Sequence, residues 1–74
     1  MKDVVKFLEK NGFKREENPF YPMYSNDKCK IIIYKDNYVI VDNKDGRLYS
    51  ADLAIYWLIG ALTYYGYMDK NYKQ

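Results

Sequence analysis

The side chains of this 74-residue chain that could do chemistry fall into four groups. Glu16-Glu17 and Asp42/Asp45 are carboxylate pairs, the raw material of general acid and base work. Asn43-Lys44-Asp45-Gly46 has the composition of a short cation-binding turn, and Cys29 is a thiol. Ten tyrosines interleaved with lysines offer ring faces on which bases could stack. Neighbouring residues complete none of the first three. No base, nucleophile or apolar pocket can be assigned to either carboxylate pair, so both are read as loop and turn residues. The tetrad lacks the alternating acidic ligands and closing glutamate of a calcium loop and is read as a hairpin turn. Cys29 lies in the strand-like run Lys28-Cys29-Lys30-Ile31, where it reads as a small apolar residue; as the only cysteine it excludes a disulfide within the chain. Without histidine, the commonest acid–base group near neutral pH and the usual zinc ligand sets are missing. Four glycines, three of them at expected helix ends or turns, leave no phosphate loop. The chain is therefore expected to be no enzyme and to hold no cofactor or metal.

The tyrosines remain. A stacking platform of Tyr24, Tyr34, Tyr38 and Tyr49 with Lys28, Lys30, Lys35 and Arg47 nearby would suit weak binding of single-stranded nucleic acid. The field is weak, because 12 basic residues are interleaved with 10 acidic ones for a net charge of +2, and only Arg15 and Arg47 carry the planar fork that grips phosphate and guanine. Recognition of another protein is the stronger reading, since Tyr and Trp bury large area at small entropic cost. Abundant Lys, Asn, Ile and Tyr also fit an AT-rich genome.

The elements that position these residues can be read from periodicity. Asp3 opens a helix with Val4, Val5, Phe7 and Leu8 on one face, ending at Asn11-Gly12. Phe13 folds back, and Lys14 to Asn18 is a solvated charged loop. Pro19 and Pro22 bracket Phe20-Tyr21, leaving Met23-Tyr24-Ser25 at most a short edge strand. A strand from Cys29 to Lys35, a turn at Asp36-Asn37, a strand from Tyr38 to Asp42, a turn at 43–46 and a short strand Arg47-Leu48-Tyr49 follow. Ser50 caps a second helix running to about Tyr65 and stopping at Gly66. Residues 1–74 thus form a single α+β domain, a two-layer sandwich in the order helix, three to four antiparallel strands as a meander, helix. Met1-Lys-Asp-Val-Val-Lys contains no secretion signal and the apolar C-terminal run is shorter than the ~20 residues that span a bilayer, so a cytoplasmic chain without a membrane partner is expected.

The element order resembles that of the double-stranded-RNA-binding domain and of the HicA-type small toxins, and Phe7-Leu8-Glu9-Lys10-Asn11-Gly12-Phe13 looks like the opening helix and turn of the toxins. The resemblance implies architecture alone. The toxins' catalytic histidine has no counterpart here, and Ser50-Ala51-Asp52-Leu53 stands where the RNA-binding domain has its lysine cluster.

Pairing about Asp36-Asn37 separates two sheet faces. One carries Ile32, Tyr34, Val39, Val41 and Leu48 and is assigned to the core. The other carries Cys29, Ile31, Ile33, Tyr38, Ile40 and Tyr49 with a rim of Lys35, Asp42 and Arg47, and is assigned to an interface. On the second helix, Leu53, Trp57, Ala61 and Tyr64 lie along one side and Ile55, Leu58, Ile59, Leu62 and Tyr65 along the other. Tyr56 shares a wetter strip with Asp52 and Thr63. Ile31, Ile33, Tyr38, Ile40, Tyr49, Arg47, Tyr56 and Tyr65 are thus the candidate interface, and Trp57 is expected to be a buried structural anchor. So small a chain cannot cover both apolar surfaces by itself. A homodimer or another protein is expected to cover the rest, as in a phage or mobile-element inhibitor or adaptor.

Overall fold

The computed structural model describes residues 2–17, 20–52 and 54–74, with backbone alone for Lys2, Ala51 and Asp52. The readings of Asn18, Pro19 and Leu53, and of the Asp52 side chain, lie outside the described residues.

Helix α1 (Lys2–Lys10) and helix α2 (Ile55–Tyr64) end in the same way. Gly12 and Gly66 take the left-handed backbone, φ 86° and 79°, that a side chain would resist. The next amide then bonds back five residues: Phe13 N–H to Leu8 O at 3.0 Å, and Tyr67 N–H to Leu62 O at 2.8 Å. Each reversal drives the following aromatic ring inward, and both Phe13 and Tyr67 are buried.

Five strands lie between the helices: β1 (Lys14–Arg15), β2 (Met23–Ser25), β3 (Cys29–Ile33), β4 (Asn37–Asp42) and β5 (Leu48–Asp52). They form one antiparallel meander in chain order. The fold is the expected α+β sandwich. Its fifth strand comes from Lys14–Arg15, expected as loop, which pairs at the edge with Ser25 and Tyr24. The smallest extent, 21 Å, is what two layers of ~10 Å each require.

The β3–β4 hairpin closes one residue earlier than expected. Tyr34 N–H donates to Asn37 O at 2.9 Å, leaving Lys35-Asp36 as the loop, and Ile33 faces Tyr38 while Ile31 faces Ile40. Because each strand shifts by one residue, the grouping of side chains by face survives. The direction of the faces does not. Cys29, Ile31, Ile33, Tyr38 and Ile40, expected outward, are buried with Tyr24 against Val4, Phe7 and Leu8 of α1 and Leu58 and Leu62 of α2. Ile32, Val39 and Val41, expected in the core, are half-buried on the helix-free face, and Leu48 is exposed.

Lys30 is the physical reason. It shares its face with Ile32, pairs with Val41 and is exposed, so packing helices on that side would strand an ammonium without a partner. Ser25 and Ser50 stand on the same face. The inward face carries three isoleucines and three tyrosines, Tyr24, Tyr38 and Tyr49, which bury more area.

Candidate functional site

Helix α2 has no charged residue, and only Leu58 and Leu62 are fully buried. Its start at Ile55 follows from β5, which pairs with β4 as far as Asp52. Ser50 is therefore a strand residue whose Oγ accepts a bond from Asn37 Nδ2 at 2.8 Å, and Ala54 stands at the cap without a side-chain bond. Ladder pairing outweighs a capping serine.

Spacings of one, four and eight residues put Tyr56, Trp57, Gly60 and Tyr64 on one stripe of the helix. This stripe faces water. Tyr56 is 83% exposed, Trp57 61%, Tyr64 83%, Tyr65 43% and Leu48 65%. Trp57 is therefore not the buried anchor expected; Leu58 and Leu62 hold that place. Between the stripe and the last strand lies an open groove of about 670 Å³, lined by Leu48, Tyr49 and Ser50 on one wall and by Tyr56, Trp57 and Tyr64 on the other. Gly60 and Ala61 contribute the small residues of the helical wall.

A ladder of rings closes one end of the groove. Tyr49 and Tyr65 stack at 4.0 Å between centroids, and Tyr64 meets Tyr65 edge-on at 5.0 Å. Beneath them Tyr67 OH donates to Asp42 Oδ2 at 2.6 Å, and Tyr67 O accepts from Asn26 Nδ2 at 2.9 Å. Burial first, then the bond to Asp42, raises the Tyr67 phenol above its ordinary value. That same bond, with the Lys44 and Asp45 amides, lowers the Asp42 carboxyl. Arg47 stands exposed, 3.9 Å from Asp45, in a solvent-screened surface pair.

Of the candidate interface residues, the structure brings Tyr49, Tyr56 and Tyr65 together at this groove, with Arg47 exposed beside Tyr49 and outside its lining. It removes Ile31, Ile33, Tyr38 and Ile40, all buried in the core. Trp57, Tyr64 and Leu48 take their place. Their signal was the one-sided stripe on an uncharged helix whose opposite side already supplied enough aliphatic residues for the core. The stacking platform is dismantled as well, since Tyr24 and Tyr38 are buried. Tyr34 is half-buried against Tyr21 at 4.6 Å. The lysines stand exposed but apart: Lys35 at the hairpin tip, Lys30 on the helix-free face, and Lys28 beside Gly66 O at 3.4 Å.

Among the described residues no three His, Cys, Asp or Glu side chains gather to hold a metal ion, and no helix is long and apolar enough to cross a membrane. The chain matches no known protein family, no curated protein and no solved structure.

Proposed function

We propose that the chain is a small non-enzymatic protein-binding module of the cytosol, an adaptor or inhibitor that acts through the aromatic surface of α2 and β5 and works as a homodimer. The observation that carries this reading is the exposure of Tyr56, Trp57 and Tyr64 together on a helix without charge. Such rings have rigid, amphipathic surface that binds proteins at small entropic cost. At roughly 200 Å² per large aromatic side chain, the three leave on the order of 450 Å² of mostly apolar area in water. That is as large as the largest patch of a typical monomer, which is often functional.

The test is a triple substitution, Tyr56→Ser, Trp57→Ser and Tyr64→Ser, which touches no fully buried residue. The variant should keep the circular dichroism of the folded chain and lose the proteins that immobilised wild type captures. Capture unchanged by the substitutions would refute the reading. So would nucleic acid that stays bound above physiological salt, where contacts through scattered lysines dissociate.

A further inference from the structure

The two edges of the sheet differ. Strand β1 is two residues long and both are basic, which discourages pairing with another strand. Strand β5 is five residues long and carries no charge between Leu48 and Ala51. It ends the sheet, with no strand beyond it among the described residues.

Its backbone polarity can be assigned. Asp42 N–H donates to Arg47 O at 2.9 Å, so the next pair, Val41 with Leu48, is a non-bonded one, and bonded pairs alternate from there. Tyr49 and Ala51 therefore spend their amides on β4. The N–H and C=O groups of Leu48, Ser50 and Asp52 point away from the sheet, at the edge where Leu48 and Ser50 border the groove.

Gly60 is the second observation. A glycine inside a helix weakens it, and among the described residues nothing beyond its own turn of helix lies within 4 Å of where its Cβ would stand. Packing within the chain does not require it. It lies between Tyr56 and Tyr64 on the exposed stripe, where only a close approach from outside would use the missing side chain.

We infer that a second copy of this chain occupies the groove, its β5 pairing antiparallel with β5 about Ser50 and its α2 crossing α2 at Gly60. This rests on the protein-binding reading and names the partner. A two-fold axis through the Ser50 pair, perpendicular to the sheet, sets outward groups against outward groups, Leu48 opposite Asp52. The same operation places both α2 helices on one side of the joined sheets, face to face across the axis. One symmetry operation thus satisfies a bare edge and a bare helix face together. The area also suffices: the three aromatic rings, with Leu48, Tyr65 and a strand backbone, approach the roughly 800 Å² per partner of a standard interface.

The test is sedimentation equilibrium of the full chain from micromolar to about 1 mM. Wild type and Ser50→Ala should both reach twice the 8.9 kDa of one chain. Ser50→Pro should remain at 8.9 kDa, because it removes an outward N–H and no ladder bond to β4. Gly60→Leu, which meets open space within the chain, should weaken the dimer by about tenfold or more. Hydrogen exchange at the Leu48 and Ser50 amides should slow as wild-type concentration rises, a readout that needs no variant to fold. A chain monomeric throughout, a Ser50→Pro dimer as tight as wild type, or exchange at those amides independent of concentration would overturn the inference. A monomer that still loses captured proteins on the triple substitution would overturn self-pairing alone. A dimer that captures the same proteins after that substitution would instead overturn the protein-binding reading of the aromatic stripe.

Discussion

The carboxylate of Asp42 accepts from Tyr67 OH at 2.6 Å, from Lys44 N–H at 2.7 Å and from Asp45 N–H at 3.1 Å, and each bond favours its charged form. The sign of the pH dependence follows. A carboxyl lowered in the fold contributes stability at neutral pH and down to its unfolded value near 4, and this is lost as pH falls through the lower folded value. The urea midpoint of wild type should therefore drop below about pH 4, and Asp42→Asn should lower the midpoint at pH 7 while flattening that drop. An equal slope in both proteins would show that other carboxylates govern acid unfolding. The turn role of Asp42 was legible from Asp-x-x-Asp-Gly; its partner Tyr67, 25 residues on, was not, because no local pattern records a contact made through the core. Cys29 shows the opposite case. Burial, reinforced by the charges of Asp42 and Asp27, pushes its thiol up to about 12, matching its sequence reading as an inert apolar residue. At pH 8 a thiol reagent should label it only as fast as the chain opens, and immediately in denaturant; fast labelling of the native chain would contradict its burial.

At the scale of elements, the C-terminal ends of both helices, the β4–β5 register and the division of side chains between sheet faces were all legible, because glycine positions, turn residues and alternation are local. Which face turns inward was not. Both faces carry an aliphatic middle, and the decision rests on Lys30, whose charge sits amid the face that reads as more aliphatic. Helix α2 inverts the same way, and the energetics of substitution invert with it. Leu58→Ala and Leu62→Ala should each cost ~2–5 kcal/mol, as deletions from a packed core do. Trp57→Ala should stay within about 1 kcal/mol of wild type, as exposed positions do. Gly60→Ala should stabilise the isolated subunit by up to ~1 kcal/mol through helix propensity. Chemical denaturation of the four proteins at concentrations where the subunit is monomeric checks the order. A large loss at Trp57 would mean that the helix is turned the other way.

Across the whole molecule, the tail after α2 returns to the first helix. Asn11 Nδ2 donates to Lys73 O and Asn11 Oδ1 accepts from Lys73 N–H, both at 2.8 Å, while Tyr72 meets Phe7 edge-on at 5.7 Å. Tyr67 and Met68 complete the core beside β3 and β4. The sheet is local in sequence, but its cover is not: α1 precedes it and α2 with Tyr67 and Met68 follows it. On the ribosome this arrangement has a cost in time. Ile31, Ile33, Tyr38 and Ile40 emerge with Asp42, but Met68 lies 26 residues later, about 1–5 s at 5–20 residues per second. For that interval a nascent hairpin holds out a greasy underside and an unguarded edge, so the protein's yield in a cell should track how fast its last third is translated.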